Sequence, residues 1–136
     1  MIPINKFDIA HLAVAHVYAE LSTATRAKVG AIIVKDNRII SIGYNGTPSG
    51  WDNICEENGI TKAEVLHAET NAIAKLARSH ESGEGATLYC THSPCLNCAK
   101  LIYQSGINKV VYCKDYSSEG IDFLDRADVD VYQLEV

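Results

Sequence analysis

Four residues of this chain have the types and spacing for metal chemistry: His67, Glu69, Cys95 and Cys98. The two cysteines stand three apart in Ser93-Pro94-Cys95-Leu96-Asn97-Cys98, a segment that reads as a helix start with Ser93 as N-cap and Pro94 in the first helical position. Residues three apart share a helix face, so both sulfurs point one way. The positive end of the helix dipole favours thiolate over thiol, and hence a soft metal. Taken alone, this Pro-Cys-x-x-Cys also fits a thioredoxin-like redox pair, or two core cysteines beside a cap. His67-Ala68-Glu69, at the entry to the preceding helix, shifts the balance to metal. One imidazole and two thiolates make a zinc site with its fourth position open, which marks a catalytic rather than a structural site. An ion so held brings the pKa of a bound water towards neutrality, and Glu69 is the nearby proton carrier.

A competing signal is Thr61-Lys62-Ala63-Glu64, which reads as a capping box and would start the helix at Lys62. Residues two apart in a regular helix point about 200° from each other, so His67 and Glu69 could not serve one site from mid-helix. The helix is therefore expected to start near His67, with the Thr61 segment as a separate turn.

The elements that position these residues must come from one domain spanning residues 1–136. With 47% hydrophobic and 21% charged residues, the 136-residue chain has the composition of a packed globular core and not of a disordered or fibrous protein. Its net charge of −5 disfavours a protein that grips nucleic-acid phosphates, while leaving room for a small anion held by one or two local cations. The opening MIPINKFDIA lacks the features of a signal peptide, and no run is long enough for a membrane span, so a cytoplasmic protein is expected. Five cysteines, an odd number, fit metal ligands or core thiols better than disulfides.

Apolar positions from Asn5 to about Leu21 predict a first helix capped by Asn5, with Asp8 in its first turn. Val29–Val34 and Arg38–Ile42 predict an antiparallel hairpin about Lys35-Asp36-Asn37. Gly43 to Ile60 reads as a long functional loop. Helices are expected over Ala68–His80, Cys95–Gln104 (closed by Gly106) and Glu119–Ala127, and strands over Ala86–Thr91, Asn108–Cys113 and Val129–Leu134. This alternation calls for an α/β fold, a five-stranded mixed sheet with helices on its faces. Cys90 and Cys113 read as core, and His11, His16 and His80 as helix-surface residues or partners in ordinary hydrogen bonds.

His-x-Glu followed by Pro-Cys-x-x-Cys is the signature of zinc-dependent deaminases, in which the glutamate is not a ligand. Together with Val29-Gly-Ala-Ile-Ile-Val34, Gly43-Tyr-Asn-Gly46, His67-Ala-Glu-x-Asn-Ala-Ile73 and Gly106-Ile-x-x-Val-Val-Tyr112, it resembles the deoxycytidylate (dCMP) deaminases of the cytidine deaminase superfamily along nearly the whole chain. Gly43-Tyr-Asn-Gly46 is the discriminating piece, because tRNA adenosine deaminases usually place Trp-Asn there.

The resemblance implies a three-layer α/β/α cytidine-deaminase-like fold. It also implies one Zn²⁺ per chain, held by His67, Cys95 and Cys98, and hydrolysis of dCMP to dUMP and ammonia, with Glu69 shuttling the proton. By the same analogy the Ala68 amide holds the pyrimidine O2, the Ser93 carbonyl the amino group, and Asn45 the deoxyribose. Tyr116 resembles a family tyrosine near substrate, though it equally fits a surface tyrosine. The phosphate needs a cation, and Arg26 is the best placed, its fork suiting a phosphate better than Lys28 does; a solvated loop charge is the alternative. Many family members are homo-hexamers activated by dCTP with Mg²⁺ and inhibited by dTTP, and some carry a second, structural zinc, for which Cys55 and His92 are candidates. The rivals are a deaminase of free nucleosides or nucleic acid, and a non-catalytic zinc module, which would want a fourth ligand and has no use for Glu69.

Overall fold

Asn5 opens α1 (Lys6–Ala19) with a reciprocal capping box: its side chain accepts from the Phe7 amide at 2.8 Å, and Asp8 Oδ2 accepts from the Asn5 amide at 2.8 Å. The computed structural model, which describes residues 3–135, ends this helix two residues before the expected Leu21, in turns closed by the carbonyls of Tyr18 and Ala19. β1 (Gly30–Lys35) and β2 (Arg38–Tyr44) form the expected hairpin. Its loop is only Asp36-Asn37, at φ 52° and 59°, the paired left-handed conformation that matches strand twist and that Asp and Asn tolerate.

The stretch expected to be one long loop is more structured. β2 extends to Tyr44, Gly46 bridges Leu66, and a small hairpin, β3 (Glu56–Glu57) and β4 (Ile60–Thr61), stands within it. There follow α2 (Ala68–Ala77), β5 (Thr87–His92), α3 (Leu96–Gln104), β6 (Lys109–Lys114), α4 (Ser118–Arg126) and β7 (Asp130–Gln133). α2 stops three residues short of His80, where Arg78 and Ser79 turn back onto Lys75 and Leu76.

The main sheet runs β2-β1-β5-β6-β7, with β1 antiparallel to both neighbours and β5, β6 and β7 parallel. It is thus five-stranded and mixed, as expected. Strand alternation divides the core: Ala31 and Ile33 face a cluster with Ala72, Ile102 and Leu124 of α2, α3 and α4, whereas Ile32 and Val34 face Leu12 and Ala15 of α1. The result is three layers, α1 on one side and three helices on the other. Cys90 is buried as expected; Cys113 is only partly buried, against the α1 side. No helix among the described residues is long and apolar enough to cross a membrane.

A buried ion pair pins α1 to the sheet. Lys109 Nζ donates to both Asp8 oxygens at 3.0 Å, the Tyr89 hydroxyl donates to Oδ1 at 2.6 Å, and both charged side chains are 3% exposed. Burial raises the Asp8 pKa, but hydrogen bonds from Tyr89, the Asn5 amide and Lys109 outweigh it, so the carboxyl is held below its usual range. Lys109→Met should cost about 3–5 kcal/mol in urea unfolding at neutral pH, because it strands a buried carboxylate. Since the folded pKa is the lower one, the contribution of Asp8 is present above the unfolded value of about 3.9 and is lost as pH falls through the folded value. The wild-type urea midpoint should fall with acidification over that window, and that fall should shrink in Lys109→Met.

Candidate active site

Two helix starts converge at one end of the strands, just beyond the C-terminus of the central strand β5. α2 can begin where it does because β2 has no side chain at Gly43: a Cβ there would lie 2.3 Å from the Ala68 carbonyl and 2.7 Å from the Ala72 amide. The Ser41 hydroxyl donates to the Ala72 carbonyl at 2.6 Å, and the Asn71 side chain donates to the Tyr44 carbonyl at 3.1 Å, fixing the same contact. His67 is the N-cap of α2, with extended backbone (φ −71°, ψ 155°), and Glu69 lies in the first turn. The helix therefore starts as the geometric argument requires, and Thr61 belongs to β4.

The start of α3 corrects an expectation. Ser93 is not its N-cap and Pro94 is not helical; Cys95 is the N-cap and Leu96 the first residue. Ser93 Oγ instead accepts from the Tyr116 and Ser117 amides at 2.7 and 2.9 Å, and the Ser93 amide donates to the Lys114 carbonyl. These bonds draw residues 93–95 against the loop after β6. Gly120 of α4 completes the seat: a Cβ there would stand 2.0 Å from the Pro94 carbonyl.

The outcome is a three-donor cluster of His67, Cys95 and Cys98, whose ligating atoms lie within 4.8 Å of one another. His67 Nδ1 is 3.3 Å from Cys98 Sγ and 3.6 Å from Cys95 Sγ. A tetrahedral zinc, with bonds of about 2.0–2.1 Å to nitrogen and 2.3 Å to sulfur, sets such edges at about 3.5 Å, so the residues fit that ion. Burial, ahead of repulsion from Glu69 and Cys95, pushes the Cys98 thiol well above its ordinary pKa. The helix terminus alone does not make this sulfur a thiolate; a cation among the three donors would. Glu69 is 4% exposed, and burial pushes its carboxyl up to about 7 against the opposing hydrogen bonds of its own amide and of Cys98. It can hold a proton near neutral pH and release it.

His67, Glu69 and Cys95 line a cleft of about 310 Å³, which also takes in Arg26, Asn45, Ala68, Ser93 and Tyr116, whereas Cys98 is buried and not part of the lining. Their commitments differ. The Asn45 amide already donates to the Ala27 carbonyl at 2.8 Å and accepts from the Val29 amide at 2.9 Å, bracing the rim. Arg26 Nη1 donates to Thr61 Oγ1 at 3.3 Å, and Tyr116 is 70% exposed. Cys55 and His92 also line the cleft, yet among the described residues the only cluster of three metal-ligating side chains is His67, Cys95 and Cys98. His92 Nδ1 pairs with Thr91 Oγ1, and Cys55 is buried beside the Thr23 hydroxyl. Of the histidines expected to be ordinary, His11 pairs with Asn37, whereas His16 Nε2 is buried with no partner among the described residues. Glu56 is a cleft residue that the sequence did not flag; nothing in its spacing marks it.

Residues 5–114 match the cytidine and deoxycytidylate deaminase zinc-binding region. The chain belongs to this family. Deoxycytidylate deaminase of Enterobacteria phage T4 is 36% identical, over 90% of this chain and 87% of that protein. ComE operon protein 2 of Bacillus subtilis is 37% identical, over 92% of this chain and 69% of that protein. The dCMP deaminase of cyanophage S-TIM5, solved with dCMP and dUMP, superposes with a TM-score of 0.94 at 43% identity, covering 98% of this chain and all of that one. Purified protein should contain about one zinc per chain, and Cys98→Ser should lose it together with activity; full zinc occupancy in that variant, read by metal analysis, would remove Cys98 from the ligand set.

Proposed function

We propose that the chain hydrolyses dCMP to dUMP and ammonia, as one domain over residues 1–136. The observation that carries this reading is the buried Glu69 carboxyl, protonatable near neutral pH, beside a three-donor cluster that opens onto the cleft through His67 and Cys95. The substrate follows from the likeness to the S-TIM5 enzyme solved with dCMP and dUMP, and a net charge of −5 agrees with a small nucleotide rather than a polyanion.

His67, Cys95 and Cys98 would hold Zn²⁺, which would supply Lewis acidity and activate water for attack at neutral pH. Glu69 does the proton work: its carboxylate takes a proton from the attacking water and passes it to ring N3 as C4 gains the oxygen, then takes the remaining hydroxyl proton and passes it to the amino nitrogen, so that C4–N cleavage releases ammonia and leaves the C4 carbonyl. The Ala68 amide, one of the first-turn donors without an intrahelical partner, binds the pyrimidine O2. The Ser93 carbonyl accepts from the exocyclic amino group and so aligns it for departure. Asn45, braced by its own backbone bonds, presents its remaining donor and acceptor capacity to the deoxyribose. Tyr116 flanks the substrate at the rim, and Arg26 takes the phosphate by exchanging its Thr61 contact for a charged one. Activation by dCTP with Mg²⁺, inhibition by dTTP, a hexameric assembly and cytoplasmic placement rest on the family resemblance, and no residue is assigned to them.

Glu69→Ala should leave zinc and fold intact while turnover falls about 10²–10⁴-fold; near-normal turnover with metal retained would take Glu69 out of the mechanism. Arg26→Ala should lose about 2 kcal/mol of transition-state stabilisation with dCMP and almost none with deoxycytidine, since only the former carries the phosphate. Equal losses on both substrates would return Arg26 to the role of a solvated loop charge.

A further inference from the structure

The loop that carries Arg26 is not self-supporting. Residues Thr23 to Arg26 form no regular element; apart from the Ala24 amide, which donates to Ser22 Oγ, their hydrogen bonds go to the small hairpin β3–β4 and the residues leading into it. The Thr23 hydroxyl donates to the Asn53 carbonyl at 2.5 Å and lies 3.6 Å from Cys55 Sγ. Glu56 Oε2 accepts from two consecutive backbone amides, Thr25 at 2.9 Å and Arg26 at 3.3 Å. Directly across the hairpin from Glu56, Thr61 Oγ1 accepts from the Arg26 guanidinium. Arg26 is therefore held twice by one hairpin, at its backbone by Glu56 and at its side chain by Thr61.

The two contacts differ in kind. The Thr61 bond is a single neutral one and can be exchanged for a phosphate. The Glu56 bonds are charge-assisted and made to main chain, so they persist whichever way the guanidinium turns. Two consecutive N–H groups converging on one oxygen is also the arrangement by which main chain holds anions, and it fixes the local backbone. An arginine on an unsupported loop loses rotational and backbone freedom when it grips a ligand; one whose backbone is already clamped loses less. Glu56 lines the same cleft as Arg26, which His67 and Cys95 also line.

We infer that Glu56 is a positioning residue for substrate phosphate recognition, acting through Arg26 by clamping the Thr25 and Arg26 amides. This rests on the proposed pairing of Arg26 with the phosphate. It assigns the β3–β4 hairpin a role in specificity for a monophosphate over a nucleoside, and not in the chemistry at the ring.

The test is steady-state kinetics of zinc-loaded enzyme with dCMP and deoxycytidine in four variants: Glu56→Ala, Glu56→Gln, Arg26→Ala and the Glu56→Ala/Arg26→Ala pair. Glu56→Ala should raise KM for dCMP about tenfold with kcat little changed, and leave deoxycytidine kinetics as they were. Glu56→Gln, whose amide oxygen still accepts both N–H groups, should restore most of the loss. In the Arg26→Ala background, Glu56→Ala should add no further loss, because its effect passes through Arg26. Equal losses on dCMP and deoxycytidine would mean general damage to the cleft and would overturn the inference. So would a tighter KM for dCMP in Glu56→Ala, which would make the carboxylate a competitor for the phosphate position. A loss that persists undiminished in the Arg26→Ala background would overturn it as well. If Arg26→Ala alone costs nothing with dCMP, the phosphate reading itself falls, and that result is visible without Glu56.

Discussion

Everything at the candidate site depends on two helices starting closer to their neighbours than side chains normally allow. The first turn of α2 rests on β2 at Gly43, and the residues before α3 rest on α4 at Gly120, each at a distance that a methyl group would forbid. Because both starts are fixed by backbone contact, His67, Cys95 and Cys98 hold their mutual distances by main-chain packing as well as by side-chain choice. The chemistry at this end of the strands inherits its geometry from two missing Cβ atoms. Preorganisation of this sort avoids spending binding energy on assembling the ligand set.

Two buried carboxyls show how the same fold treats charge in opposite ways. Asp8 is nearly inaccessible, but it receives an ammonium, a phenol and a capping amide, and its pKa is held down. Glu69 is equally buried and receives only its own amide and a thiol, so desolvation wins and the proton is held to about neutral pH. The difference lies in the number and charge of donors, not in depth. It separates a group that anchors a helix from one free to exchange its proton.

Much of this was legible in the sequence because it is local. The Asn5–Asp8 box, the Asp36-Asn37 turn and the β-branched strands are decided within a few residues, and the metal donors follow from spacing together with the requirement that His67 and Glu69 face one site. What the sequence concealed is decided across the fold. Ser93 has the chemistry of an N-cap, and Pro94 that of a first helical residue, yet the amides of Tyr116 and Ser117 claim the Ser93 oxygen and delay the helix to Leu96. Glu56 sits in a stretch without periodicity, and its partners lie 30 and 31 residues away. The buried Nε2 of His16 depends on how α1 lies against the sheet, which α1, apolar on nearly every side, does not specify by pattern. Asn45 was read as a ligand contact, and it also braces the chain at Ala27 and Val29.

The donor cluster also bears on how the chain leaves its unfolded state. Cys95 lies 28 residues beyond His67, and the intervening stretch contains all of α2 and β5, the strand at the middle of the sheet. An ion bridging the two closes that stretch into a ring, removing disorder from the unfolded ensemble much as a covalent cross-link would. Part of the free energy of metal binding is then free energy of folding, delivered to the central strand.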